Sequence, residues 1–273
     1  MVQIDGSHHH WFGETAPESV LMGYIDDATG RIFGHFYDYE GTKPAMDSFK
    51  RYIKRYGIPQ SVYIDMHSNY KTTRKPSVED ELNNQKALTQ AGRALKELGV
   101  DIIYAYSAQA KGRIERSFKT HQDRLVKEMN LAGITTVKDA NSFLHNYYIP
   151  KHNRMFAVIA NDQRNLHIPI PKQLDLDRVF SIKNKAVLRN DFTIQHNNRF
   201  YQILEPIRAK EITIEERLSG KICFYHKDTQ LNYKLINKRP QKPRQPFKPR
   251  KRYIPPADHP YKLLFKRLKR KCA

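Results

Sequence analysis

Asp5, Asp65 and Glu115 occupy three separate segments, each suited to presenting a carboxylate from a rigid element. Asp5 and Asp65 close short apolar runs, Val2-Gln3-Ile4-Asp5 and Val62-Tyr63-Ile64-Asp65, and Glu115 stands in the first turns of a long amphipathic stretch. Carboxylates are hard oxygen donors that suit Mg²⁺. Three of them brought together could clamp two such ions roughly 3.5–4 Å apart, which neutralises developing charge and holds the attacking and leaving oxygens during phosphoryl transfer. Any one such acid is commonly a solvated surface charge. The reading rests on the set and on the elements that would gather it.

Those elements follow from periodicity. Residues 2–5, 21–26 and 31–38 read as three consecutive antiparallel strands, the last two joined by the turn sequence Asp27-Ala28-Thr29-Gly30. A helix is predicted from about Lys43 to Tyr56, with Ala45, Phe49, Ile53 and Tyr56 on one stripe and Gly57 and Pro59 stopping it. Val62–Asp65 is the fourth strand, polar residues 66–84 read as a loop, and a helix runs from about Gln85 to Leu98. Asp101–Ala105 is the fifth strand. A long helix spans about Ala108 to Leu131 with Ile114, Phe118, Leu125 and Met129 inward, and a further helix covers about Val137 to Tyr148. The order βββαβαβα resembles the RNase H-like fold, an α/β class with a five-stranded mixed sheet, flanking helices and acids at adjacent strand ends. That core is expected over residues 1–170.

Beyond Pro171 the pattern becomes short strands at 186–188, 192–195, 199–204, 212–217, 221–225 and 231–235, predicting a small all-β, SH3-like barrel over 171–237 that would bind DNA. Residues 238–273 carry fourteen Lys or Arg and one acid, which is most of the net charge of +20. Its prolines and like charges predict a basic arm, disordered or partly helical, with a short helix at 260–271.

The acids sit in local sequences that resemble the insertion-sequence transposase and retroviral-integrase superfamily, in particular ISNCY-type transposases with a DDE set of acids. The stretches are Val2-Gln3-Ile4-Asp5-Gly6-Ser7, Val62-Tyr63-Ile64-Asp65-Met66-His67-Ser68-Asn69-Tyr70, and Ala110-Lys111-Gly112-Arg113-Ile114-Glu115-Arg116. The third is the most specific. Asp65 and Glu115 are 50 positions apart, longer than the retroviral pattern, and the 66–84 loop would absorb the excess. The resemblance implies a catalytic core that binds Mg²⁺, with Mn²⁺ as a substitute, through Asp5, Asp65 and Glu115, and that acts on double-stranded DNA as a homo-oligomer.

Basic residues around the acids fit either phosphate binding or solvation. Lys119 lies one turn beyond Glu115, where the resemblance implies contact with the DNA end. Lys111, Arg113 and Arg116 surround the same place. Arg189 and Arg199 are the candidate DNA contacts of the barrel, whose Phe192, Phe200, Tyr201 and Tyr225 are expected to be mainly core. Asp26 and Asp27 are rival acids whose place in a turn favours backbone hydrogen bonding over metal binding. His8-His9-His10 before Trp11 is expected as a loop near the active site that contacts DNA or packs Trp11, and His8 could assist at the metals.

Composition narrows the function classes. The charge excess points to a polyanionic partner. No run is long and apolar enough to span a bilayer and no signal peptide is evident, so a soluble, cytoplasmic, nucleoid-associated protein of bacterial type is expected. Cys223 and Cys272 are far apart and support neither a disulfide framework nor a zinc module. Tyrosine and serine recombinase arrangements are absent. An RNase H-like nuclease without transfer activity, or a non-catalytic DNA-binding descendant, are the competing readings. Strand one starts so close to Met1, with no helix-turn-helix before it, that a longer protein with an upstream recognition domain is also expected.

Overall fold

The computed structural model describes residues 1–13, 16–65, 70, 72, 87–105, 111–237 and 253–269. Its first compact unit is Met1–Ile236. Strands β1 (Val2–His9), β2 (Ser19–Asp26), β3 (Ile32–Tyr37), β4 (Ser61–Ile64) and β5 (Asp101–Tyr104) form one sheet in the order β3-β2-β1-β4-β5. β1 to β3 are antiparallel, whereas β4 runs parallel to β1 and β5 parallel to β4. This is the RNase H-like sheet that the element order predicted. β1 runs four residues further than expected, through His9, so His8 and His9 are strand residues and not loop.

Each face of the sheet is buried by a different helical layer. Even-numbered β1 residues Val2 and Ile4 join a core with Ala45, Phe49 and Ile53 of α1 (Thr42–Tyr56) and Ala91, Ala94 and Leu95 of α2 (Gln90–Glu97). Successive strand side chains alternate faces, so Gln3, Asp5 and Ser7 look the other way, toward α3 (Gly112–Leu131). Gln3 Oε1 accepts from the Ile114 amide at 3.3 Å and Ser7 Oγ from Gln122 Nε2 at 3.2 Å. The predicted inward stripe of α3 is buried as Ile114, Phe118, Leu125 and Met129, with His121 as a further member. Gly57 ends α1 at φ 93°, and a Cβ there would come within 2.8 Å of the Ile168 carbonyl oxygen, so only glycine fits without displacement.

The helix expected at 137–148 is interrupted. α4 (Val137–Phe143) leads into a π-turn (Leu144–Tyr148) and then α5 (Ile149–Phe156). Pro150 explains it: proline has no N–H for the Asn146 carbonyl and its ring would crowd that oxygen, so the backbone widens before resuming. These helices also close the free edge of β3. Asn141 exchanges both amide hydrogen bonds with Phe36, at 2.8 and 3.1 Å, and Asn153 does the same with Ile32, at 2.8 and 3.0 Å. Side-chain amides thus take the place of a further strand, which protects the edge from pairing with other chains.

A layer of histidines lies under this cover. His35 and His145 share a 2.9 Å ring hydrogen bond, and His121 bonds Tyr148 Oη and Ser117 Oγ, each at 2.9 Å. Burial pushes His35 and His121 down to about 3 and His145 to about 4, so all are neutral near pH 7.

After Pro171 come a short helix α6 (Leu176–Val179) and two small antiparallel sheets. One is β11-β10-β9-β6 and the other β12-β8-β7, built from β6 (Ile182–Val187), β7 (Thr193–His196), β8 (Arg199–Ile203), β9 (Glu211–Glu216), β10 (Ile222–His226), β11 (Thr229–Leu231) and β12 (Tyr233–Ile236). Ile194, Tyr201, Ile212, Ile214 and Phe224 form their shared core. Tyr201 and Tyr225 are buried, as packing residues should be.

This β portion docks on the five-stranded core within the same compact unit. Gln90 of α2 exchanges hydrogen bonds of 2.8 and 3.0 Å with the Lys183 backbone. Glu215, 1% exposed, receives Arg178 at 3.1 Å and Lys183 at 3.9 Å, while Glu97 and Asp228 hold the outer sides of those cations. In the second unit, Asn237–Ala273, helix α7 (Pro260–Lys269) matches the predicted short helix. The expected loop at 66–84 and the basic run at 238–252 lie almost entirely outside the described residues. Among the described residues no helix is long and apolar enough to cross a membrane.

Candidate active site at the strand ends

β1 and β4 are held in register by the pairs Val2 with Val62 and Gln3 with Tyr63. Asp5 and Asp65 each lie three residues beyond the first of these pairs, so they stand at one level on neighbouring parallel strands. Lys111, the N-cap of α3, reaches between them: its Nζ is 2.8 Å from Asp5 Oδ1 and 3.7 Å from Asp65 Oδ2. The Lys111 side chain is only 5% exposed, against 24% for Asp5 and 41% for Asp65.

Asp5 also accepts the Gly6 amide at 3.0 Å. Its carboxyl is held above the ordinary range, chiefly because burial disfavours its charge; Lys111 opposes that shift and the Asp65 charge adds to it. On the other side of β1, Glu40 contacts His8 at 2.7 Å, and a Cβ on Gly6 would lie 3.1 Å from Glu40 Oε2. Burial, with Glu40, Asp65 and Asp5 acting in the same direction, keeps the Tyr70 hydroxyl protonated.

The sequence-derived residues therefore separate. Asp5, Asp65 and Lys111 are brought together. Glu115, one turn after Lys111 on the same side of α3, is exposed. Among the described residues no group of three or more His, Cys, Asp or Glu side chains is arranged to hold a metal ion. The donor chemistry at Asp5 and Asp65 nonetheless fits a divalent cation: two oxygen donors at one level already share a positive charge. Arg113 turns to Asp27, 3.4 Å away, and Arg116 bonds the Gly112 carbonyl oxygen at 2.8 Å; Lys119 is exposed. Arg189 is partly buried and Arg199 exposed in the small β portion. Asp26 accepts from the Thr29 amide and hydroxyl at 3.1 and 2.5 Å, the turn role expected of it.

Trp11 shows what the histidine triplet does in part. The indole is fully buried, donates to the Ser7 carbonyl oxygen at 3.1 Å and meets the His9 ring edge-on at 5.3 Å. The placement of Glu40 was missed by sequence reasoning; the only signal was a glycine directly after Asp5.

No family model matches the chain. Among curated proteins, the transposase for insertion sequence IS1202 of Streptococcus pneumoniae is 30% identical over 279 residues, covering 96% of this chain and 58% of that protein. The chain is thus similar over nearly its whole length to an insertion-sequence transposase. The transposase-type protein y4bF of Sinorhizobium fredii is 38% identical over 171 residues, covering 62% of this chain and 36% of that protein. The chain thus spans between about one third and three fifths of these relatives. Of solved structures, a chain of the simian T-cell lymphotropic virus intasome in complex with PP2A regulatory subunit B56 gamma is 15% identical, with TM-score 0.43 over 87% of this chain and 79% of that one. The HTLV-2 integrase catalytic core domain in complex with magnesium is 13% identical, with TM-score 0.41 over 61% and 94%.

Proposed function

We propose that this chain carries the catalytic core of a DDE-type transposase that cleaves DNA at an element's ends and joins them to target DNA, with Asp5, Asp65 and Glu115 as the metal-binding acids. The observation that supports it best is the pair Asp5 and Asp65, level on adjacent parallel strands with a buried cation between them. Two Mg²⁺ ions, or Mn²⁺, would supply the charge that clamps the attacking and leaving oxygens. The protein's own part is to hold those carboxylates on the sheet and to place DNA over them.

In the first reaction water attacks the phosphorus at the element's end, and the bond to the 3′ oxygen breaks, freeing a 3′-hydroxyl. In the second, that hydroxyl loses its proton and attacks a target phosphorus, displacing a target 3′ oxygen. Glu115, exposed at the start of α3, is the proposed third carboxylate. Lys119, Arg113 and Arg116 on α3, with Arg189 and Arg199 on the β portion, are the proposed phosphate contacts, which position DNA without specifying its sequence. Double-stranded DNA is the proposed partner, held by a homo-oligomer that synapses two ends.

The test is incubation of the full chain with duplex DNA carrying a candidate element end and Mg²⁺ or Mn²⁺. Metal-dependent nicking followed by joining is expected, and both should vanish in Asp5→Asn. Nicking without joining would identify a nuclease. Activity surviving in Asp5→Asn would overturn the assignment of that acid.

A further inference from the structure

Asp5 and Asp65 stand at one level on neighbouring strand segments, and two carboxylates so placed repel. Something positive must sit between them for both to be charged. In this fold it is the ammonium of Lys111, the residue just before α3, and it is almost wholly enclosed. A lysine is a compact point charge on a flexible stem, able to leave a position where an arginine fork would be fixed. Its sequence neighbours Arg113 and Arg116 are occupied elsewhere, so Lys111 alone of these cations addresses the acid pair.

Charge counting gives the consequence. With Lys111 between them, two carboxylates and one ammonium leave a net charge of minus one. With a divalent ion instead, the pair is neutral. With both present, the enclosed group is positive and the two cations repel at close range, where the surroundings screen poorly.

We propose that Lys111 is a resident cation that holds the Asp5 and Asp65 site while metal is absent and must be displaced for a divalent ion to enter. Lys111 thereby sets how tightly the metal binds, at the cost of some affinity, and keeps the two acids together in the metal-free protein. The inference rests on Asp5 and Asp65 being metal ligands, as proposed above.

Calorimetric titration of Mn²⁺ into the full chain, at fixed pH and salt and without DNA, tests it. Lys111→Met fills the same volume without charge and should bind Mn²⁺ about tenfold more tightly than the parent chain. Lys111→Gln should do the same, and Lys111→Arg should bind no more tightly than the parent. Without metal, the thermal midpoint of Lys111→Met should fall, and saturating Mn²⁺ should raise it by more than it raises the parent's. If Asp5→Asn abolishes binding but both neutral variants bind like the parent or more weakly, the resident-cation role is overturned while the metal assignment stands. If Asp5→Asn and the parent bind alike, the metal assignment fails and the proposal falls with it.

Discussion

Two charge clusters in this molecule are near opposites. At the strand ends, two acids, Asp5 and Asp65, share one ammonium. At the junction of the small β portion with the core, one acid, Glu215, faces Arg178 and Lys183, whose outer sides are held by Asp228 and Glu97. The first sets two carboxylates around the Lys111 ammonium and is partly open. The second is closed, with Glu215 1% exposed and its Oε1 shared by two cations while its Oε2 makes no hydrogen bond among the described residues. A pair of carboxylates near solvent is what a binding site needs, whereas a surrounded carboxylate joins two parts of a chain. Both are built of carboxylates and cationic side chains; the arrangement and the exposure differ.

The largest effect that could break this contrast is on activity. Asp5→Asn, Asp65→Asn and Glu115→Gln should each abolish metal-dependent nicking and joining while DNA affinity, which rests on remote cations, changes little. Activity gels and filter binding on the same preparations decide it. Full activity in Glu115→Gln alone would leave a two-acid site and show that the exposed position of Glu115 is its working one.

The junction should respond in stability instead. Glu215→Gln leaves the partly exposed Arg178 and Lys183 facing a neutral amide; breaking a fully buried pair typically costs about 3–5 kcal/mol, and less is expected here because both cations reach solvent and keep second partners. Urea unfolding measures the loss, and Mn²⁺ affinity of the folded fraction should be unaltered. A loss of metal binding here would mean that the two clusters are coupled.

A smaller effect separates them by geometry. A Cβ on Gly23, the β2 partner of Asp5, would lie 2.5 Å from the Phe118 ring. Phe118 is enclosed in α3, so Gly23→Ala should force that helix off the sheet at a cost of about 1–3 kcal/mol. Since α3 also carries Lys111 and Glu115, Mn²⁺ affinity should shift too, while the Glu215 junction stays as it was; hydrogen exchange read separately over β1 and β9 would show whether it does.

The smallest effect concerns polar groups that carry no charge in the fold. His121 stays neutral in the native state down to about pH 3, but the unfolded chain protonates it near pH 6.5. Its contribution is therefore fully present above pH 6.5 and lost as pH falls toward 3, by about 1.4 kcal/mol per pH unit. His121→Gln should flatten the decline of the thermal midpoint between pH 6.5 and 4.5; an unchanged slope would place the acid sensitivity in His35 and His145.

Much of this was legible in sequence for a physical reason. Strand alternation and the 3.6-residue stripe are local, so β2 to β5, the start of β1, the inward face of α3 and most of the short strands after 171 could be read directly, whereas β6 starts four residues earlier than expected and the strand expected at 231–235 is two, β11 and β12. Asp5 and Asp65 were legible because each follows a short apolar run, although Asp5 lies inside β1 and only Asp65 stands at a strand's end. Lys111 was not: a lysine at a helix start reads as a phosphate ligand or a solvated charge, and only the β1–β4 register brings it between two acids distant in the chain. The histidine layer was hidden likewise, since each histidine is isolated in sequence. The π-turn turned on Pro150, whose effect falls on residues before it and not at its own position.

The short ladder between β1 and β4 has a consequence of its own. Position at the site is counted in rungs from Val2 and Val62, not in residues along the chain. The 50 residues from Asp65 to Glu115 can be lengthened or trimmed at the turns without moving either aspartate. A single residue inserted between Val2 and Asp5 would do the reverse: it would rotate Asp5 to the side of the sheet packed by α1 and α2 and bring its neighbour to face Lys111. Tolerance to insertion is thus a ruler for this site, and a scan of one-residue insertions through β1, β4 and the chain between them would mark its graduations.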